Sequence, residues 1–281
     1  MSRVSKGVLL VGLVTGILVG ASGCSVQATI KTKTRFTEQN VAPSAEPTEA
    51  WAGEKIVIRD EAAGVVSGTA LTVKVDAAAT KVSASANLVA MANDDEEANA
   101  KLTLGEVKAS FKIVKEGDVW NVVCGHGNGH GSSGSGESGC NNLTVTIPAG
   151  SDAQKIALEA LVGNGNVDID IASVTLESFG VNAKNGKITA RAPTTKGSSI
   201  SLVGEENCDV ALSVPSAFSA DKVELFADAD KITNGVSDLQ LTDTTGGKTG
   251  SRGTAGEGAA SIRLTSKEFA GSTETVSLST F

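Results

Sequence analysis

The feature that most constrains this chain is a short segment, repeated many times, in which Val, Ile, Leu or Ala alternates with polar residues. Such segments fall at 143–147, 156–161, 167–171, 174–179, 187–191, 199–203, 210–214 and 223–226, most with centres about 11 to 13 residues apart. Further ones follow at 239–241, 262–264 and 276–278, and Gly, Asn, Asp or Pro separates most neighbours. A two-residue period sends alternate side chains to opposite faces, so each segment predicts a strand with one buried face. The same pattern appears upstream at 55–59, 71–75 and 81–92, and residues 111–115 and 119–124 read as a hairpin about Glu116-Gly117-Asp118. The expected fold is all-β: a β-solenoid in which each rung packs on its neighbours, with a β-sandwich as the alternative. Seven Phe, two Trp and no Tyr leave the core to aliphatic side chains, which suits stacked rungs. One short helix is expected at 104–110, where Thr103-Leu104-Gly105-Glu106 has the capping-box pattern.

The N-terminus reads as a targeting segment. Arg3 and Lys6 precede an uncharged apolar run at 8–19, and Gly20, Ala21, Ser22 and Gly23 lead to Cys24. That order predicts a signal peptide over residues 1–23. The run falls short of the roughly 20 apolar residues of a spanning helix, although an uncleaved anchor helix is the alternative. Ala21-Ser22-Gly23-Cys24 resembles the bacterial lipobox, with Ala21 standing where that pattern prefers leucine. The resemblance implies that Cys24 is lipidated and becomes the mature N-terminus; an ordinary signal peptide with a chance cysteine is the other reading. Two or more acyl chains, at about 0.8 kcal/mol per buried methylene, give stable membrane attachment. By analogy with enterobacterial sorting, Ser25 after the cysteine favours the outer membrane. The expected location is therefore the bacterial cell envelope. Residues 24–50 form a lipid-anchored linker and leading strand, with alternation at 29–36 and a loop between Pro43 and Pro47. Residues 51–281 form the β-repeat domain.

Charge narrows the partners. Removing residues 1–23 takes away two of the 24 basic side chains and leaves a balance of −10 against 32 acidic ones. A chain that acidic is not expected to bind nucleic acid, which relies on basic patches to displace counterions.

One local tract could carry chemistry. Residues 124–140 read CGHGNGHGSSGSGESGC and hold both histidines, His126 and His130, with two of the four cysteines. Outside the cytosol, Cys124 and Cys140 are expected to close a disulfide about the 15 residues between them, worth about 3 kcal/mol by loop entropy. The competing reading is a weak zinc or copper site through His126 and His130. Against it, a disulfide-bonded cysteine is no longer a thiolate ligand, and a glycine-rich loop is poorly preorganised. No other cofactor is expected. Cys208 is left over, either as a half-buried free thiol or paired within or between molecules. Asn164, Asn166, Asp168 and Asp170 alternate on one face, as polar edge residues or as calcium ligands. Gly246-Gly247-Lys248-Thr249 has the end of a phosphate loop without its first glycine, so the tract to Gly258 reads as a flexible loop. With both histidines in one loop, no Ser/His/Asp arrangement stands out.

Residues 143–150 (LTVTIPAG), Gly163-Asn164-Gly165-Asn166-Val167-Asp168, Asn185-Gly186-Lys187-Ile188 and 256–262 (GEGAASI) resemble the turn motifs of the bacterial "putative adhesin" β-repeat family. The resemblance covers about 143–281 and implies a β-helical repeat at the cell envelope, with no catalytic residues to carry over. The expected function is a non-enzymatic structural or adhesin-like module whose partner is an envelope or surface protein or polysaccharide. The alternatives are a metal-binding lipoprotein and a carbohydrate-binding β-helix.

Overall fold

The computed structural model describes residues 5–6, 34–60, 69–92, 108–125, 138–149, 155–253, 259–267 and 273–281. Among these the chain is almost entirely extended. The strands are β1 (Ser5–Lys6), β2 (Thr34–Val41), β3 (Lys55–Asp60), β4 (Thr69–Asp76), β5 (Ser83–Ala92), β6 (Lys112–Glu116) and β7 (Val119–Cys124). They continue as β8 (Ser138–Pro148), β9 (Lys155–Asn164), β10 (Asn166–Asp170), β11 (Thr175–Arg191), β12 (Ser199–Gly204) and β13 (Cys208–Val214). The last six are β14 (Ala220–Phe226), β15 (Ile232–Asn234), β16 (Gln240–Thr244), β17 (Gly247–Arg252), β18 (Ala260–Ser266) and β19 (Val276–Thr280). A helical turn at 108–110 lies at the end of the predicted helix, whose residues 104–107 are outside the described ones, and Ala229–Lys231 adds a 3-10 turn.

The strands form two sheets joined by the 17-residue β11, which crosses from one to the other. The first sheet runs β1-β2-β5-β8-β4-β10-β11-β13-β19-β15. The second runs β6-β7-β3-β9-β11-β12-β18-β14-β17-β16. Central strands pair parallel, and so does β15 with β19; the other outer pairings, β1–β2, β2–β5, β5–β8, β6–β7, β14–β17 and β16–β17, are antiparallel. Each rung gives one strand to the second sheet and the next to the first, so the chain coils while its core is that of two facing layers.

Alternation fixes the faces. Inward residues stack rung on rung as Trp120, Ile56, Leu158, Phe179, Ile200, Ile262 and Val223 in the second sheet. Opposite them run Leu143, Leu71, Val167, Ile188, Val210 and Val276. All of these are buried in one hydrophobic core.

Corners follow from local chemistry. Gly165 and Gly186 turn the chain between sheets with φ of 110° and 116°, a region that favours glycine. A Cβ on Gly186 would lie 2.5 Å from the Gly165 carbonyl oxygen, so the two turns stack only as glycines. Beside them Asn185 Nδ2 donates to Asn164 Oδ1 at 2.6 Å. At the opposite corner Pro148 is the last residue of β8, and Pro193 and Pro215 follow the ends of β11 and β13, where no further ladder hydrogen is needed.

Three expectations need correction. Segments 174–179 and 187–191 are one continuous strand, because the corner at Asn185-Gly186 keeps its ladder bonds. Residues 247–252 are a strand and not a loop: Cβ atoms on Gly247 and Gly250 would meet the carbonyl oxygens of Leu225 at 2.2 Å and Gln240 at 2.3 Å. Glycine there permits close approach of neighbouring backbones. Nor are the rungs stacked in sequence order throughout. The rung β3–β4 lies between β7–β8 and β9–β10, and β18–β19 is inserted between β12–β13 and β14–β15.

Candidate functional site

Cys24, His126 and His130 lie outside the described residues. Cys124 and Cys140 are joined by a disulfide, with Cα atoms 5.9 Å apart. Both are fully buried, and the bridge ties β7 of one sheet to β8 of the other at the corner of the outermost rung. It takes both thiolates out of any ligand set for His126 and His130. Among the described residues no group of three or more His, Cys, Asp or Glu could hold a metal ion.

Cys208 is fully buried and unpaired, in place of the half-buried or bridged thiol considered from sequence. A Cβ on Gly204 would lie 2.6 Å from its Cβ, so the missing side chain there makes room for the cysteine. Burial is the main cause that pushes its thiol up to about 11. The polar row at β9–β10 is also committed to its neighbours. Asn164 accepts from Asn185, and Asp170 accepts from Arg191 Nη1 at 2.9 Å and from the Ala172 amide at 3.2 Å. Those contacts explain two of the four candidate calcium ligands as rung-to-rung links.

The outer faces of the sheets are the broadest surfaces. The first sheet presents Thr72, Thr144, Asp168 and Thr189 in one cross-strand row, and Lys74, Asp170 and Arg191 in the next. The second sheet is not flat. Over β11 and β12 it holds a groove of about 370 Å³, floored by Ser178, Gly180, Asn182, Ser199, Ser201 and Val203. Lys55 and Glu159 form one wall and pair at 2.8 Å. Beyond β12 stands Arg263, whose guanidinium lies 4.9 Å from the centre of the Phe226 ring. Sequence reasoning missed this groove. The available signal was a glycine and three serines at outward positions of Val/Ile/Leu strands.

No family model and no curated protein matches the chain. Among solved structures, the fold is similar to that of a "putative cell adhesion protein" from Clostridium sporogenes ATCC 15579. The TM-score is 0.52, with 89% of this chain and 100% of that chain covered at 9% identity. At that identity the likeness is one of fold. It does not establish membership of the adhesin family that the turn motifs resemble.

Proposed function

We propose that the chain is a non-enzymatic, adhesin-like interaction module held at the bacterial cell envelope by a lipidated Cys24. The observation that carries this reading is the architecture: two wide sheets of ten strands each, sharing one aliphatic core and turning polar outer faces to solvent. Such a body presents surface. The fold likeness to a "putative cell adhesion protein" supports the same reading.

The anchor sets which end is presented. Nine residues separate Cys24 from Thr34, where β2 begins; with residues 1–23 removed, and β1 with them, β2 is the edge of the first sheet. Fully extended they reach about 30 Å. The end of the stack carrying β2, β5 and β6 then stands near the membrane, and the end carrying β15 and β16 points away.

Two measurements test this. Labelling with a palmitate analogue, with mass analysis of the mature N-terminus, should find acyl groups on Cys24 and loss of residues 1–23; an unmodified Cys24 removes the anchor. Beads coated with the mature chain should adhere to envelope or surface material of a bacterial cell, and beads that do not adhere contradict the interaction role.

A further inference from the structure

The groove over β11 and β12 has the chemistry of a site for one class of partner, and we propose that it binds an acidic glycan, a polysaccharide bearing uronate-type carboxylates. The inference rests on the interaction-module reading and names the partner of that module.

The groove is formed by a missing side chain at Gly180 and the short serines around it. Gly180 sits within β11 between the buried Phe179 and Val181, opposite Glu159 on one side and Ser201 on the other. A Cβ placed on it would meet nothing within 4 Å, and its φ is not in the left-handed region. Neither packing nor backbone geometry requires glycine there. An interior glycine weakens a strand, and it marks a bulge, a bend or a place where a ligand or another backbone approaches closely.

Charge around the groove differs from that of the whole. In a chain with a net charge of −8, Arg59 and Arg263 stand on either side of the floor without an ion-pair partner among the described residues. Lys55 is paired with Glu159, and Lys222 with Glu224 at 2.8 Å. Arg59 lies in the cross-strand row of Leu161, Asn182, Val203 and Thr265. Four strand spacings of about 4.8 Å put the two cationic positions roughly 19 Å apart, with the groove between them. Planar guanidinium groups bind carboxylates through paired hydrogen bonds.

The floor favours a sugar over a peptide. Backbone donors and acceptors of β11 and β12 are taken by ladders on both sides, so a peptide cannot add as a strand to this face. Ser178, Ser199 and Ser201 instead offer hydroxyls, each donor and acceptor at once, matching a ligand rich in hydroxyl groups. Asn182 adds a carboxamide, whose Nδ2 also donates to Glu205 Oε1 at 2.9 Å.

The test is calorimetric titration of the mature chain with hexagalacturonate, maltohexaose and hexaglutamate as probes. Hexagalacturonate should bind, more tightly at low salt, and the neutral maltohexaose should not. Arg59→Ala with Arg263→Ala should weaken binding roughly tenfold or more. Gly180→Val should abolish it while leaving the melting temperature as high as before or higher, which separates a filled groove from a damaged fold. Absence of hexagalacturonate binding, or binding unchanged in Gly180→Val, overturns the proposal. Equal or tighter binding of hexaglutamate also overturns it and assigns the groove to acidic peptides. Beads that adhere to cells as wild type does when coated with Gly180→Val show that the groove proposal has failed while the module reading stands.

Discussion

The two ends of the stack close the same aliphatic core by different chemistry. At the near end, the one carrying β2, β5 and β6, Trp51 and Trp120 meet edge to face with ring centres 6.0 Å apart, and Phe111 is fully buried. Glu54 accepts from Trp120 Nε1 and pairs with Lys115 at 2.9 Å, and the Cys124–Cys140 disulfide clamps the corner. At the far end the largest organising group is a cation. Arg252 grips Asp238 with Nε and Nη2, both at 2.9 Å. It donates to the carbonyls of Phe218 at 2.7 Å and Ser216 at 2.9 Å, and lies 4.4 Å from the Phe218 ring centre. One end is sealed by aromatic burial and a covalent bond, the other by a hydrogen-bonded fork over short strands. Both ends have an inserted rung, so the difference lies in the seal and not in the topology. A seal of hydrogen bonds to loop carbonyls should open at a lower free energy than one of buried rings.

The sharpest way to break this comparison is Trp120→Ala, which empties the largest buried side chain of the near end. It should cost about 3–5 kcal/mol in urea unfolding, and a loss below half of that would show that the near end is not sealed by its rings. Next comes Cys124→Ser with Cys140→Ser. The 16-residue separation corresponds to about 3 kcal/mol of lost stability by loop entropy; unchanged stability under reductant would remove the clamp from the account. Arg252→Ala at the far end should cost about 2 kcal/mol through the carbonyls it leaves unpaired. It should also release the Asp238 carboxyl, now held below its ordinary range chiefly by the hydrogen bond from Arg252, back toward that range in an NMR titration.

The middle of the stack serves as the reference for both ends. Cys208 is raised from 9.0 to about 11 in the folded chain, so between those values the unfolded state holds fewer protons than the native one. Stability should therefore be full below pH 9 and fall as pH rises toward 11, by at most about 1.4 kcal/mol per pH unit. Cys208→Ala should flatten that slope. The smallest effect has the opposite sign: Gly180→Val should stabilise the chain by about 0.5–1 kcal/mol, as expected when an unconstrained strand glycine is replaced. A loss of stability there would mean that the groove floor is packed in a way the open space around Gly180 does not show.

Much of this fold is legible in the chain. Alternation in segments such as 199–203 and 210–214 says which side chains are buried, and the Asn-Gly pair at 185–186 and the proline at 215 mark corners. Local periodicity does not say which strand lies beside which. That β18 sits next to β12, ahead of β14, depends on long-range packing and leaves no mark in either segment. Residues 247–252 were misread for a related reason, since glycine signals both loops and closely approaching strands. The groove has no motif, because a missing side chain at Gly180 and serines from two strands form it. The Cys/His/Gly tract was conspicuous in sequence, but of it the structure describes little beyond the paired cysteines at its ends.

Both the rung order and the place of Arg263 beside the groove depend on where β18 lies, so its neighbour is the decisive observation. Ser201 and Arg263 are directly paired across β12 and β18, whereas Ser201 and Glu224 are two strands apart. Mild oxidation of the Ser201→Cys, Arg263→Cys variant should form a disulfide, and the Ser201→Cys, Glu224→Cys variant should stay reduced. The reverse pattern would put β14 beside β12, restore sequential stacking, and move Arg263 away from the side of the groove.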